Sequence, residues 1–410
     1  MLGVAWFGDG QVPARSMVDG QDAAVDAVLD AMANRLALAA RPLVYLAPDL
    51  SCEAQREGVA LADCLRAGLD SITSATAIGS ILAAQERGRA SATLGEVRHR
   101  ADVIVFWAVD PAGRYPRYAT RYAPETIGLH VPAGRSGRFV VAVDVGEARG
   151  PADADLRLAL QPAEEIGALT ALTAAMTGAA SSDGGPMTAL AGRLRKARYA
   201  VVVADAESDA AAGSSRAGAL IALAQAINGP ARGALSVLRG GGNRSGSDAV
   251  MTAQTGYPAA VDFARGYPRY RPLDGAAAVR LQRGEIDAAV ILGAVERIPA
   301  GLRELLSRVP AAVIGPRASE SVFVHRCPVI DTGVAGIHDA GTALRMDDVP
   351  LPLRPVLDGS PAAAPAIRAL IDRLTKADAV GASPRRIGSE RSWRDQRAGT
   401  SPGSTRTTQR

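Results

Sequence analysis

The chain has 410 residues, 48% of them hydrophobic and 21% charged, which is enough apolar surface for more than one core and excludes disorder along its length. Aromatic residues make up only 4%, which argues against a base-stacking nucleic-acid surface. The net charge of +4 resides in a tail: residues 384–410 hold seven arginines against Glu390 and Asp395, so the rest of the chain is near −1 and has no polyanion footprint. Residues 22–39 set Val25, Val28, Leu29, Met32 and Leu36 at helical spacing, and Pro42 ends that pattern before a strand over 43–46. A second helix is expected over 53–66. Short, continuously apolar strands are expected at 103–107, 139–143, 201–203, 289–292 and 311–314, with helices at 216–228 and 300–307. Strands of that kind separated by helices indicate parallel sheets covered on both faces, hence an α/β chain of at least two doubly wound lobes. Residues 181–186 (SSDGGP) read as a surface loop or hinge. Residues 376–410, rich in Ser, Thr, Gly and Arg, are expected to be a disordered basic tail. No run reaches the ~18 apolar residues of a membrane span. The first residues lack the basic start of a signal peptide, and a small odd number of cysteines suits a reducing cytoplasm.

The three cysteines, Cys52, Cys64 and Cys327, form no CxxC pair, so local cysteines build neither a zinc nor an iron–sulfur site. None of the four histidines, His99, His130, His325 and His338, lies at HxH or HxxxH spacing, and no GxSxG elbow is present. The glycine run 240–242 follows a strand-like segment and leads into Asn243, Arg244 and Ser245. Such a run lets backbone N–H groups approach an anion, but it has neither the Walker lysine nor GxGxxG spacing, and taken alone it reads first as a tight turn. Residues 255–272 (TGYPAAVDFARGYPRYRP) gather Tyr257, Phe263, Tyr267 and Tyr270 with Asp262, Arg265 and Arg269. Two Tyr-Pro pairs stiffen this loop, which suits an ordered Asp–Arg loop and a binding site equally. Residues 345–354 (RMDDVPLPLR) form a second proline-stiffened polar loop, with Arg345 and Asp347 two residues apart.

These loops resemble those of the B subunit of formylmethanofuran dehydrogenase. The resemblance rests on TGYPAAVDFARGYPRY preceded by RGGGNRSG and followed by RMDDVPLPLR. It also rests on PLVYLAPDLSCEAQREGVALA and TLGEVRHRADVIVFWAVDP, and it covers about residues 40–370. The family belongs to the molybdopterin oxidoreductases. The resemblance therefore implies a truncated formate dehydrogenase/DMSO reductase-like fold. It divides the chain into a discontinuous first α/β lobe, 1–93 plus 190–375, and an inserted α/β lobe, 94–189. Archaeal members carry a tungsten or molybdenum pterin and a [4Fe–4S] cluster.

The departures from that pattern point away from redox chemistry. Residues 1–41 contain no cysteine to hold the cluster. The family's metal-ligating cysteine and following histidine match Thr76 and Ala77, a poor ligand for a soft high-valent metal and a residue with no proton to relay. The family's pocket arginine is kept as Arg239. A Gly-x-Asn-Pro turn is replaced by Ala108, Val109, Asp110 and Pro111, and an Asp-Pro-Arg-x-Thr element by residues 144–148 (DVGEA). The pattern resembles the cofactor-free B subunit of the bacterial formyltransferase/hydrolase complex of methylotrophs. What that implies is a cytoplasmic chain with no catalytic group, metal or cofactor of its own, partnered by sister subunits A, C and D in tetrahydromethanopterin-linked conversion of formaldehyde to formate. Candidate contacts to a methanofuran-like carrier are Arg239, Asn243, Tyr257, Asp262, Arg265, Tyr267, Arg269, Arg345 and Asp347. Their charges are expected to close into one network around the former pocket. The main competing reading is a molybdenum- or tungsten-dependent catalytic subunit. A free-standing enzyme holding a small acid on Arg239, Asp262 and Arg269 has no nucleophile–base pair to support it.

Overall fold

A computed structural model describes residues 14–178, 185–207, 213–357 and 360–379. The chain begins with two short strands, β1 (Ser16–Val18) and β2 (Gln21–Asp22), then helix Val25–Ala37, strand β3 (Pro42–Leu46), helix Cys52–Cys64 and strand β4 (Gly68–Ser71). Helix Val25–Ala37 buries Val28, Leu29, Met32 and Leu36, the stripe its spacing predicts. The Ser51 side chain accepts from the Ala54 N–H at 3.2 Å and starts helix Cys52–Cys64. Two short helices, Ile72–Thr76 and Ile78–Arg87, lead the chain across to a second sheet.

That sheet contains β5 (Val103–Trp107), β6 (Phe139–Val145), β7 (Leu156–Leu160), β8 (Ala200–Asp205) and β9 (Gly233–Leu238) in the order β7-β6-β5-β8-β9, all parallel. The chain then returns to the first lobe through helix Arg244–Thr255 and β10 (Val261–Asp262), β11 (Arg269–Tyr270), β12 (Ala288–Leu292), β13 (Ala311–Gly315) and β14 (Val329–Asp331). A nine-stranded sheet results, ordered β11-β10-β4-β3-β12-β13-β14-β1-β2, with five central parallel strands and an antiparallel pair at each edge. A hairpin, β15 (Gly341–Leu344) and β16 (Pro350–Leu353), and helix Ala363–Ala379 complete it.

Every residue of β3, β5, β12 and β13 is buried, because helices cover both faces of each sheet; that is why these strands read as unbroken apolar runs. Both sheets reverse their strand order once, between β3 and β12 in the first and between β5 and β8 in the second. Crevices at such reversals, beyond the C-terminal ends of the strands, are where open α/β sheets take ligands.

The lobe boundaries differ from those expected. β8 and β9 extend the second sheet to Leu238, although the resemblance implies a first lobe that resumes at 190. Helix Ile78–Arg87 packs on helix Gly213–Ile227 of the second lobe, ahead of the expected start at 94. Parallel strands of either sheet carry the same apolar pattern, so periodicity does not say which sheet a strand joins. The terminal helix continues to Ala379, four residues into the expected tail. Residues 380–410, and 181–184 of the expected hinge, lie outside the described residues, while Gly185 and Pro186 start helix Pro186–Lys196.

Candidate functional site at the junction of the lobes

Arg239 follows β9, at the point where the chain crosses from the second lobe back to the first. It is 8% exposed. Its Nη1 donates to Asp248 Oδ2 at 2.7 Å on helix Arg244–Thr255, and its Nη2 donates to Thr73 Oγ1 at 2.9 Å on helix Ile72–Thr76. Its Nε lies 3.4 Å from Glu207 Oε1, just beyond β8. The Tyr115 hydroxyl donates to the Arg239 carbonyl. Glu207 also takes Arg244 Nη1 at 2.9 Å and lies 3.7 Å from Arg114, which pairs with Asp205 at 2.8 Å. One buried guanidinium thus joins helices of the first lobe to a strand end of the second.

The electrostatics are those of a closed network. Burial pulls the Arg239 pKa down, but Asp248 and Glu207 more than offset it, and the guanidinium stands above its ordinary value. Burial raises the Asp248 carboxyl. For Glu207, burial is outweighed by the Gly240 N–H, Arg244 and Arg239, and its carboxyl stands below the usual range. Each of the three guanidinium nitrogens of Arg239 already has a partner within the protein.

The glycine run is filled in the same way. Gly242 has φ +86, and a Cβ there would fall 2.7 Å from both Asp49 Oδ1 and Pro48 Cβ. Asp49 is itself paired with Arg297 at 2.7 Å. At Gly240 a Cβ would meet the Arg244 guanidinium at 2.6 Å. The run allows tight packing of the crossover against the first sheet's reversal point. Asn243, at φ +60, ties it there: its Nδ2 donates to the Leu50 carbonyl at 2.9 Å and its Oδ1 accepts from the Leu344 N–H at 2.8 Å.

The position matching the family's metal ligand does not fit a metal. Thr76 donates its hydroxyl to the Ile72 carbonyl of its own helix at 3.0 Å, and Ala77 is buried. The cavity beside Thr76, lined also by Gly79, Asp205, Arg216 and Leu220, holds about 40 Å³, against roughly 300–1,000 Å³ for a cofactor site. Among the described residues no group of three or more His, Cys, Asp or Glu side chains could hold a metal ion. Cys52 and Cys64 stand at opposite ends of one helix, and burial raises the thiols of Cys52 and Cys327. Thr76 and Ala77 thus offer no thiolate to a soft metal at this position.

The replaced nucleotide elements are likewise occupied. Ala108, at the resemblance's glycine position, has φ +52, a region that favours glycine. Asp144 accepts from the Gly150 N–H at 2.8 Å and from Arg157 at 2.7 Å; these outweigh burial and hold its carboxyl below the usual range.

The remaining candidates do not join Arg239 in one network. Asp262 pairs across from Gly68, at the start of β4, whereas Thr73 follows the end of that strand. It is 3.6 Å from Arg269, 3.3 Å from Arg271, and accepts from the Ala264 N–H at 2.8 Å. Tyr257 stacks on Tyr270 with centroids 5.0 Å apart, while Arg265 and Tyr267 are exposed at the turn. Arg345 grips Asp347 through both carboxylate oxygens, at 2.5 and 2.6 Å, and Asp347 Oδ2 accepts the Leu94 N–H at 2.6 Å. The expected single network is therefore split: the short β10–β11 turn carries its own counter-ions to the far end of β4, whereas Asp348 of the 345–354 loop acts electrostatically on Arg239 and Asp248. Sequence reasoning missed Thr73, Glu207 and Asp248. The signal that could have found Glu207 was its place just after a strand at a sheet reversal; Asp248 lies one helical turn after Arg244.

No family model matches the chain. Two curated relatives, each the B subunit of a tungsten-containing formylmethanofuran dehydrogenase 2, are similar to it. The protein of Methanocaldococcus jannaschii is 31% identical over 356 residues, covering 81% of this chain and 79% of the relative. That of Methanococcus maripaludis is 31% identical over 335 residues, covering 79% and 77%. A chain of the crystal structure of the formyltransferase/hydrolase complex (FhcABCD) from Methylorubrum extorquens, in complex with methylofuran, superposes with a TM-score of 0.77 at 24% identity, covering 89% of this chain and 99% of that one. The two doubly wound lobes are thus the fold that the resemblance implied. By identity and coverage together, the chain belongs to the family of formylmethanofuran dehydrogenase B subunits.

Proposed function

We propose that this chain is a non-redox B subunit of a formyltransferase/hydrolase assembly with sister subunits A, C and D, acting in tetrahydromethanopterin-linked oxidation of formaldehyde to formate. Its own role is to hold those subunits in place. The observation that carries this reading is at Thr76: the hydroxyl matching a metal-ligating thiolate is spent on its own helix, beside a cavity of about 40 Å³. The likeness in fold to a chain of the formyltransferase/hydrolase complex supports the choice of assembly. That complex was solved with methylofuran, and within this reading any contact of this chain to such a carrier falls to Arg265 and Tyr267, the exposed members of the candidate set. The reading expects size-exclusion chromatography to give a heteromeric peak when the chain is mixed with sister subunits A, C and D. A stable monomer indifferent to them would overturn it.

The competing reading, a tungsten-dependent catalytic subunit, draws on the 31% identity to tungsten-containing relatives. It requires a ligand set at Thr76 and Ala77 that these residue types cannot supply.

A further inference from the structure

On the second lobe, the loop after the short helix Tyr118–Arg121 presents two large apolar side chains to solvent, Ile127 at 68% and Leu129 at 77% exposure. The loop is tightly held. Gly128 and Val131 exchange N–H···O bonds at 3.0 and 3.2 Å. The Leu129 N–H donates to His99 Nδ1 at 3.2 Å and the His130 N–H to the His99 carbonyl at 2.9 Å. A Cβ on Gly128 would collide with the Arg98 carbonyl oxygen, so the loop sits directly on helix Leu94–Arg100.

Beneath it lies Arg138, 4% exposed. Its guanidinium donates to the carbonyls of Ala101 at 3.1 Å, Pro124 at 2.8 Å, Arg98 at 2.6 Å, and Thr126. No carboxylate pairs with it among the described residues, and burial lowers its pKa. A buried cation facing only carbonyls is costly to maintain, and this one fixes the base of a loop whose tip adds nothing to the core. Rigid display of large apolar side chains lowers the ordering cost of association. The surroundings are basic: Arg98, Arg100 and Arg121 are exposed. Carboxylates on the same elements are Glu125, which is exposed, Glu96, whose Oε2 accepts the Thr93 N–H at 2.9 Å, and Asp102, already 3.3 Å from Arg198. Two copies meeting through this patch would set like charges against each other.

We propose that loop 124–131 is a preorganised docking surface, on which Ile127 and Leu129 enter an apolar recess of a sister subunit rimmed by carboxylates. The proposal rests on the subunit reading above. It is tested with the full chain and purified subunits A, C and D, measuring association by analytical ultracentrifugation. Ile127→Ser combined with Leu129→Ser is expected to weaken association by at least about tenfold, with an unchanged circular dichroism spectrum. Arg98→Glu combined with Arg100→Glu is expected to weaken it as well, and to reduce its salt dependence. Leu273→Ser, a single exposed apolar side chain on the first lobe, is the control and is expected to leave it unchanged. Normal association of the Ile127/Leu129 variant, with wild type assembling, overturns this surface while leaving the subunit reading intact. A homodimer that these substitutions dissolve would also overturn it, assigning the patch to a second copy. Failure of the wild-type chain to join its sister subunits would overturn the subunit reading itself.

Discussion

Thr76 and Arg239 show two ways in which a side chain can be present without being free to react. The Thr76 hydroxyl back-bonds to Ile72, a contact worth little. Thr76→Ala should therefore leave the activity of the assembled complex within a few-fold of the parent; complete loss with normal assembly would reveal chemistry at Thr76. Arg239 is held by Asp248, Glu207 and Thr73 across the lobe junction. Glu207 gives this network a pH signature. Its carboxyl is depressed in the folded chain, so the stability it contributes is complete above its unfolded value, about pH 4.3, and is lost as pH falls through the lower folded value. Glu207→Gln should accordingly destabilise the chain at neutral pH, and the gap from the parent should narrow below about pH 4.3, as read by urea denaturation. A gap constant down to strong acid would contradict the assignment. The types of these residues were legible from sequence, Arg239 through its motif and Thr76 through the one it departs from. Their partners were not, since Thr73 lies 166 residues from Arg239 along the chain and only the folded crossover brings them together.

At the scale of elements, the aromatic-rich turn and the 345–354 loop were legible as ordered, proline-stiffened segments, and both are held by Asp–Arg pairs. What composition could not tell was which charges meet. Arg271, outside the candidate set, shares Asp262 with Arg269 and also holds Asp274 at 2.5 Å. Arg269 is partly exposed and 3.6 Å from Asp262, so Arg269→Ala should cost no more than about 1 kcal/mol in stability, with normal subunit yield. A loss of folding would mean that the β10–β11 turn is tied into a larger network than its contacts show. The short strands β1, β2, β10 and β11 gave no sequence signal, because two- and three-residue edge strands are too brief for a period to register.

For the whole molecule, two doubly wound lobes follow from continuous apolar strands alternating with helices, and that much is readable from the apolar pattern alone. The division between lobes is not, because nothing in their apolar pattern assigns β8 and β9 to the second lobe until β8 is seen paired with β5 and β9 with β8. Closure of the junction is also a property of the whole: Gly242 against Asp49, Asn243 against Leu50, Arg239 against Thr73 and Asp347 against Leu94 all fill space between elements far apart in sequence. The function proposed for the chain requires that its redox centre be lost while the fold is kept. Elemental analysis of the purified, intact complex tests it most directly. The account predicts neither tungsten nor molybdenum in stoichiometric amount with this chain, whereas a full complement of either metal, retained through purification, would contradict it.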